Sequence, residues 1–152
     1  MSALKLGVVG TNFVSSWLCE AARSLDSVKL FSLYSRTHEK GDAFAKAEGI
    51  EQVYTDFDAF LNSGIEAVYI ASPTYCHYEM AKKALGAGLH AIVEKPIVMR
   101  ESELSELILL AEKQGLALFE AMRPQFDSSV ETVKNALSTL GKVRTAHFEF
   151  CQ

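Results

Sequence analysis

The chain has 152 residues, 49% of them hydrophobic and 22% charged, with nine glycines and three prolines. That balance suits one ordinary globular domain and excludes a disordered or low-complexity polymer. Fifteen basic against nineteen acidic residues, a formal net charge of -4, argue against a nucleic-acid binder, which gathers a basic surplus on one face.

Cys19, Cys76 and Cys151 lie far apart, with no CxxC pair or Cys/His cluster, so neither a disulfide framework nor a metal site is expected. The N-terminus enters directly on Leu4-Lys5-Leu6-Gly7-Val8-Val9, which reads as a strand rather than a secretory leader. The longest apolar runs, such as Leu107 to Ala111, are too short to span a bilayer. A reduced, cytoplasmic protein without a membrane partner is the expectation.

In chain order, strands are predicted at Leu4–Val9, Val28–Tyr34, Ala67–Ala71, His90–Val93 and Leu116–Phe119, with a short piece or turn around Gln52–Tyr54. Most are continuous apolar runs, as in strands buried on both faces. Phe13, Val14, Trp17, Leu18, Ala21, Ala22 and Leu25 recur with helical period and read as one core stripe. Thr55 and Asp58 suit the start of a short helix through Leu61, and Tyr78 to Gly86 reads as another. Leu104, Leu107, Ile108 and Ala111 form a stripe that Gly115 should stop. Phe126, Val130, Val133, Leu137 and Leu140 form a last stripe, expected to end at Gly141. The alternation predicts an α/β fold with a doubly wound, mostly parallel sheet covered by helices. Val143–Cys151 is different: Ala146, Phe148 and Phe150 alternate with polar residues, as in a half-buried antiparallel strand. It has no partner in the sequence, so it is expected to be the first strand of a further domain. The expected division is residues 1–124 for this α/β fold and 125–152 for a linking helix and that strand.

The first strand runs through Gly7 to Gly10-Thr11-Asn12-Phe13-Val14-Ser15 and straight into a helix. A dinucleotide site needs this layout, in which free helix N–H groups face a pyrophosphate. Asn12 and Ser15 stand where the second and third glycines of G-x-G-x-x-G would be. The Asn12 side chain is expected to narrow the approach of the phosphates. After the second strand, Ser35-Arg36-Thr37 and Lys40 replace the acidic residue that usually accepts from the ribose of NAD(H). Hydroxyls and cations suit a 2′-phosphate, so NADP(H) is preferred and NAD(H) remains possible. Ala71-Ser72-Pro73 and His77 follow the next strand, and Glu94-Lys95-Pro96 the one after. Carboxyl ends of strands line the crevice of such folds, so these residues, with Lys95 as acid/base or polarising group, complete the candidate site. Whether the Lys95-Pro96 bond is cis stays open at this level.

The Gly7-x-x-Gly10-Thr11 turn, Ser35-Arg36, Ser72-Pro73 with His77, Gly88-Leu89-His90 leading into Glu94-Lys95-Pro96, and Phe119-Glu120-Ala121-Met122 stand in one order and spacing. Together they resemble the N-terminal domain of the Gfo/Idh/MocA oxidoreductases across essentially the whole chain. The chain departs from the family pattern at Asn12, and at Gln125, where many members have Arg. The resemblance implies a two-domain, homo-oligomeric NAD(P)-dependent enzyme acting on sugars, cyclitols or related carbonyl and alcohol substrates. It implies that Lys95 lies beside the reacting carbon and that the other catalytic groups come from a C-terminal α+β domain, to which the last strand belongs. It also implies cofactor contacts from Gly7, Gly10, Thr11, Asn12, Phe13, Val14, Ser35, Arg36, Lys40, Ala71, Ser72, Pro73, His77, Glu94 and Lys95. The competing readings are a non-enzymatic dinucleotide sensor of the same fold and a flavodoxin-like signalling domain without a dinucleotide.

Overall fold

Six strands form in the computed structural model, which describes residues 2–149. They are β1 (Leu4–Val9), β2 (Val28–Tyr34), β3 (Gln52–Tyr54), β4 (Ala67–Ile70), β5 (His90–Val93) and β6 (Leu118–Glu120). Every pairing is parallel, and the order across the sheet is β3-β2-β1-β4-β5-β6. The winding therefore reverses between β1 and β4, which opens a crevice at the carboxyl ends of those two strands.

The continuous apolar runs are explained by burial on both faces. On one face Val9, Val68, Ile70 and Val93 pack with Phe60, Leu85 and Leu107, from α3 (Phe57–Leu61), α4 (His77–Gly86) and α5 (Glu101–Gln114). On the other, Leu6, Val8, Leu33 and Tyr69 pack with Cys19 and Ala45, from α1 (Phe13–Arg23) and α2 (His38–Glu48). These elements make up one compact unit, Met1–Ala121; the second unit is Met122–Gln152.

Several local expectations shift. The helix α2 is not visible in the sequence pattern, because its HEKGDAFAKAE segment buries only Gly41 and Ala45. In α1 the buried face is Ser15, Cys19 and Ala22, so Phe13 and Trp17 lie outside it. Both are more than half exposed and meet edge to face at 5.0 Å. The cap of α3 is Asp56 rather than Thr55: its backbone is extended and its carboxylate accepts from Ala59 N at 2.6 Å. Gly115 stops α5 as expected, in the left-handed conformation. The Leu116 N–H still bonds back to Ala111 O, which delays β6 to Leu118.

In the second unit a 3-10 turn (Arg123–Phe126) leads to α6 (Ser128–Leu137). Asp127 caps α6 by accepting from Ser129 N at 2.8 Å. The helix ends at Leu137, short of Gly141. Within the expected Val143–Cys151 strand, residues 143–149 carry no strand, since no ladder partner exists among the described residues. Phe150 and Cys151 lie outside those residues.

Candidate functional site

At the crevice between β1 and β4 lies a cleft of about 480 Å³. Three loops at strand carboxyl ends build it. The first follows β1: Gly10 adopts φ +103, and a Cβ there would stand 2.6 Å from Ala71 O. Only glycine allows that close approach of the first turn to the end of β4. Asn12 then serves as the N-cap of α1, with extended backbone. Its Oδ1 accepts from Val14 N at 3.0 Å and Ser15 N at 3.1 Å, while its Nδ2 donates to Ala71 O at 2.8 Å. This leaves the N–H groups of Thr11, Asn12 and Phe13 outside the cap, at the positive end of the helix dipole.

The second loop follows β2. Ser35 is buried and its N–H donates to Tyr54 O at 3.0 Å. Beyond it Arg36, Thr37 and Lys40 line the cleft. Among the described residues neither Arg36 nor Lys40 forms a salt bridge. The third loop, after β4, contributes Ala71, Ser72 and Pro73, then Tyr75 and Cys76 on a 3-10 turn and Met80 on α4.

Glu94-Lys95-Pro96 stands beside this cleft at the end of β5 and is not part of its lining. The Lys95-Pro96 bond is cis. Three neighbouring elements hold the turn. From β4, the buried Tyr69 hydroxyl donates to Glu94 Oε1 at 2.7 Å, and Glu94 Oε2 accepts from the Lys95 N–H at 3.2 Å. Burial foremost, and then the Glu94 bond, push the Tyr69 hydroxyl pKa well above its ordinary value. From α4, the His77 ring bridges two backbone carbonyls, with Nδ1 2.9 Å from Pro96 O and Nε2 2.8 Å from Ser72 O. From β6, Glu120 accepts from Ile97 N at 2.9 Å. The Lys95 side chain is exposed and forms no salt bridge among the described residues.

Of the residues singled out in the sequence, the structure gathers Gly10, Thr11, Asn12, Ser35, Arg36, Lys40, Ala71, Ser72 and Pro73 around the cleft. Gly7 is elsewhere: a Cβ on it would collide at 2.7 Å with Phe60 and Ile65, so its role is sheet-to-helix packing. His77 is buried with a backbone carbonyl beside each ring nitrogen, one of which accepts the N–H of a neutral ring, and it stands outside the lining. Phe13, Val14, Glu94 and Lys95 also stand outside the lining. The expected obstruction at Asn12 does not arise from its amide, which points into the cap and onto Ala71 O. Thr37, Tyr75 and Cys76 line the cleft too, as members of the loops after β2 and β4, and Val9, Tyr34 and Met80 line it without having been singled out. Their position after or at strand carboxyl ends was the available signal. Tyr69 and Glu120 were missed as braces; the one hint was a hydroxyl-bearing side chain inside the apolar run of β4.

Comparison with known proteins gives the same fold. A family model described as "Oxidoreductase family, NAD-binding Rossmann fold" matches residues 4–122. The scyllo-inositol 2-dehydrogenase (NADP(+)) IolU of Bacillus subtilis is 31% identical over 98% of this chain and 46% of its own length. Among solved structures, scyllo-inositol dehydrogenase from Lactobacillus casei, with NAD(H) and scyllo-inositol bound, superposes with a TM-score of 0.82 at 26% identity. That match covers 90% of this chain and 41% of the other. A 3-ketoreductase from Actinomadura kijaniata, in complex with TDP-benzene and NADP, gives 0.84 at 25% identity over 90% of this chain and 44% of the other. The chain thus spans about half the length of the relatives it matches.

Proposed function

This chain belongs to the Gfo/Idh/MocA oxidoreductases, with their NAD-binding Rossmann fold, and on that premise we propose that its cleft holds NADP(H) in preference to NAD(H). The observation that carries the preference is the pair of cations after β2, Arg36 and Lys40, unpaired among the described residues and lining the cleft beside Ser35 and Thr37. A guanidinium and hydroxyls match the geometry and charge of a 2′-phosphate, and among the described residues no carboxylate lines that wall to repel it. The turn after β1 fits the other end of the same group. Gly10 lets the turn come down onto Ala71 O, and the N–H groups of Thr11 to Phe13, outside the Asn12 cap, lie at the N-terminus of α1, where a pyrophosphate is favoured.

Bound there, the dinucleotide supplies a hydride donor or acceptor to a sugar-like or cyclitol carbonyl or alcohol. The part of Lys95 is to donate a hydrogen bond to the reacting oxygen and to hold or release its proton. Its exposed ammonium on a braced turn suits that part. Tyr69, His77, Glu94 and Glu120 fix the backbone from which Lys95 projects. The relatives' names support the substrate class: IolU is a scyllo-inositol 2-dehydrogenase.

Calorimetric titration of the chain with NADPH and with NADH tests the reading. One or two charge-assisted contacts to the 2′-phosphate correspond to roughly 10- to 100-fold tighter binding of NADPH. Equal affinity, or tighter NADH, would overturn the preference.

A further inference from the structure

We infer that Asn12 sets the separation of the two walls of the dinucleotide cleft, through the hydrogen bond from its side-chain amide to Ala71 O; the inference rests on the dinucleotide reading above. The position of this bond is the first argument. It crosses from the turn after β1 to the end of β4, the two strands between which the sheet order reverses. A dinucleotide lies across that reversal, its adenosine half toward β2 and its nicotinamide half toward β4. The Asn12–Ala71 bond therefore ties together the two supports on which the halves of one ligand rest.

The second argument is chemical. At this position one side chain must accept from Val14 N and Ser15 N and also donate to a carbonyl 2.8 Å away. An amide does both at once, with its oxygen on one side and its nitrogen on the other. Asp caps a helix as well as Asn does but has no donor when ionised, and Ser caps it but is too short to span both partners. Glycine, which the G-x-G-x-x-G pattern places here, supplies neither bond. The closeness of Gly10 to the same carbonyl completes the device: its missing Cβ lets the turn come down onto Ala71 O, and Asn12 holds it there.

A third point concerns the donors. With the Val14 and Ser15 N–H groups already donating to Asn12 Oδ1, a pyrophosphate is received on the N–H groups before them. The cap thus also selects which part of the turn meets the ligand.

The cap and the tie separate by substitution. Asn12→Ser and Asn12→Asp both keep an acceptor for the helix and both lose the donor to Ala71. Asn12→Gly loses both functions while restoring the glycine of the pattern. The experiment is calorimetric titration of the wild-type chain and the three variants with NADPH and with adenosine 2′-phosphate, alongside their thermal unfolding. Adenosine 2′-phosphate engages the wall after β2 without crossing the reversal, so it reports on folding of that wall alone.

The expected result is at least a tenfold loss of NADPH affinity in Asn12→Ser and Asn12→Asp, with adenosine 2′-phosphate binding within twofold of wild type. Asn12→Gly should lose NADPH affinity by at least as much and also melt lower. Two results overturn the inference: NADPH bound by Asn12→Ser or Asn12→Gly as tightly as by wild type, or equal loss of both ligands. If the wild-type chain binds adenosine 2′-phosphate but neither dinucleotide, the dinucleotide reading itself fails, and the inference fails with it. That pattern is distinct from a variant-specific loss.

Discussion

On the β2 side of the cleft the chain leaves charge unmatched, whereas on the β4–β5 side it matches nearly every polar group it turns inward. Arg36 and Lys40 line the first wall without a salt bridge among the described residues. Behind the second, Tyr69 donates to Glu94, and His77, Glu94 and Glu120 engage the backbone of Ser72 and of the Glu94–Ile97 turn. Unmatched surface cations cost little in water and gain from an anionic ligand. Buried groups left unmatched would cost about 1–3 kcal/mol each. The difference separates a wall made to receive a charged ligand from a wall made to hold its own backbone still. Substitutions on the first should therefore change affinity with little change in stability, and substitutions on the second should do the reverse.

The largest expected effect is at the hinge between the walls. Gly10→Ala places a methyl group 2.6 Å from Ala71 O on a residue with φ +103, a conformation that L side chains rarely adopt. The turn must move away from β4, and dinucleotide binding should fall more than about 100-fold if positioning of the turn is what binds the phosphates. Calorimetry with NADPH reads this directly. A variant that binds normally would show that the turn tolerates displacement.

Arg36→Ala sharpens the first half of the comparison. It removes one charge-assisted contact of about 1.5–3 kcal/mol, so NADPH affinity should fall about tenfold or more, with NADH affinity and melting temperature unchanged. A parallel drop for NADH would mean that Arg36 contacts something other than the 2′-phosphate. His77→Phe addresses the second half. It fills the same buried space but removes the ring N–H that lies between Pro96 O and Ser72 O. Stability should drop by about 2 kcal/mol in chemical denaturation, with adenosine 2′-phosphate affinity unchanged. A neutral outcome would show that the bridge contributes packing alone.

The same division decides what was legible in the sequence. Strands buried on both faces announce themselves by composition, so β1, β2, β4 and β5 are read within a residue. The helix α2 was hidden because a helix that lies half in solvent on Gly41 and Ala45 needs little apolar sequence. On the receiving wall the residues were readable, since Arg36 and Lys40 stand one loop beyond a strand and expose the chemistry they carry. On the braced wall they were not. His77 looked like a ligand group because a histidine in a loop has the same one-letter signature whether it faces a pocket or two carbonyls. Asn12 looked like an obstacle because spacing reports a missing glycine and says nothing of where an amide points. Hydrogen bonds between residues 59 positions apart, such as Asn12 to Ala71, leave no local pattern.

The smallest expected effect tests whether the braced wall depends on a neutral hydroxyl. Tyr69→Phe removes the donor to Glu94 Oε1 but keeps the ring in its buried place, so the loss at neutral pH should be about 1 kcal/mol. Its pH dependence carries more information. Burial first, then the bond to Glu94, raise the Tyr69 pKa in the folded chain above the ordinary value of 10.0. Above pH 10 the unfolded chain releases this proton while the folded chain keeps it. The contribution is thus fully present below pH 10 and is lost as pH rises toward the folded value. The buried Cys19 thiol behaves alike, since burial and Glu48 raise it from 9.0 to about 11, so its share of the decline begins near pH 9. Thermal unfolding from pH 8 to 11 should therefore show two stages in the wild type. Tyr69→Phe should retain the first and show a shallower second, since Tyr78 and Lys82, also raised by their bonds to Glu106, still titrate there. If both chains decline identically above pH 10, the Tyr69 hydroxyl is not held neutral by its surroundings, and the braced wall rests on His77 and Glu120.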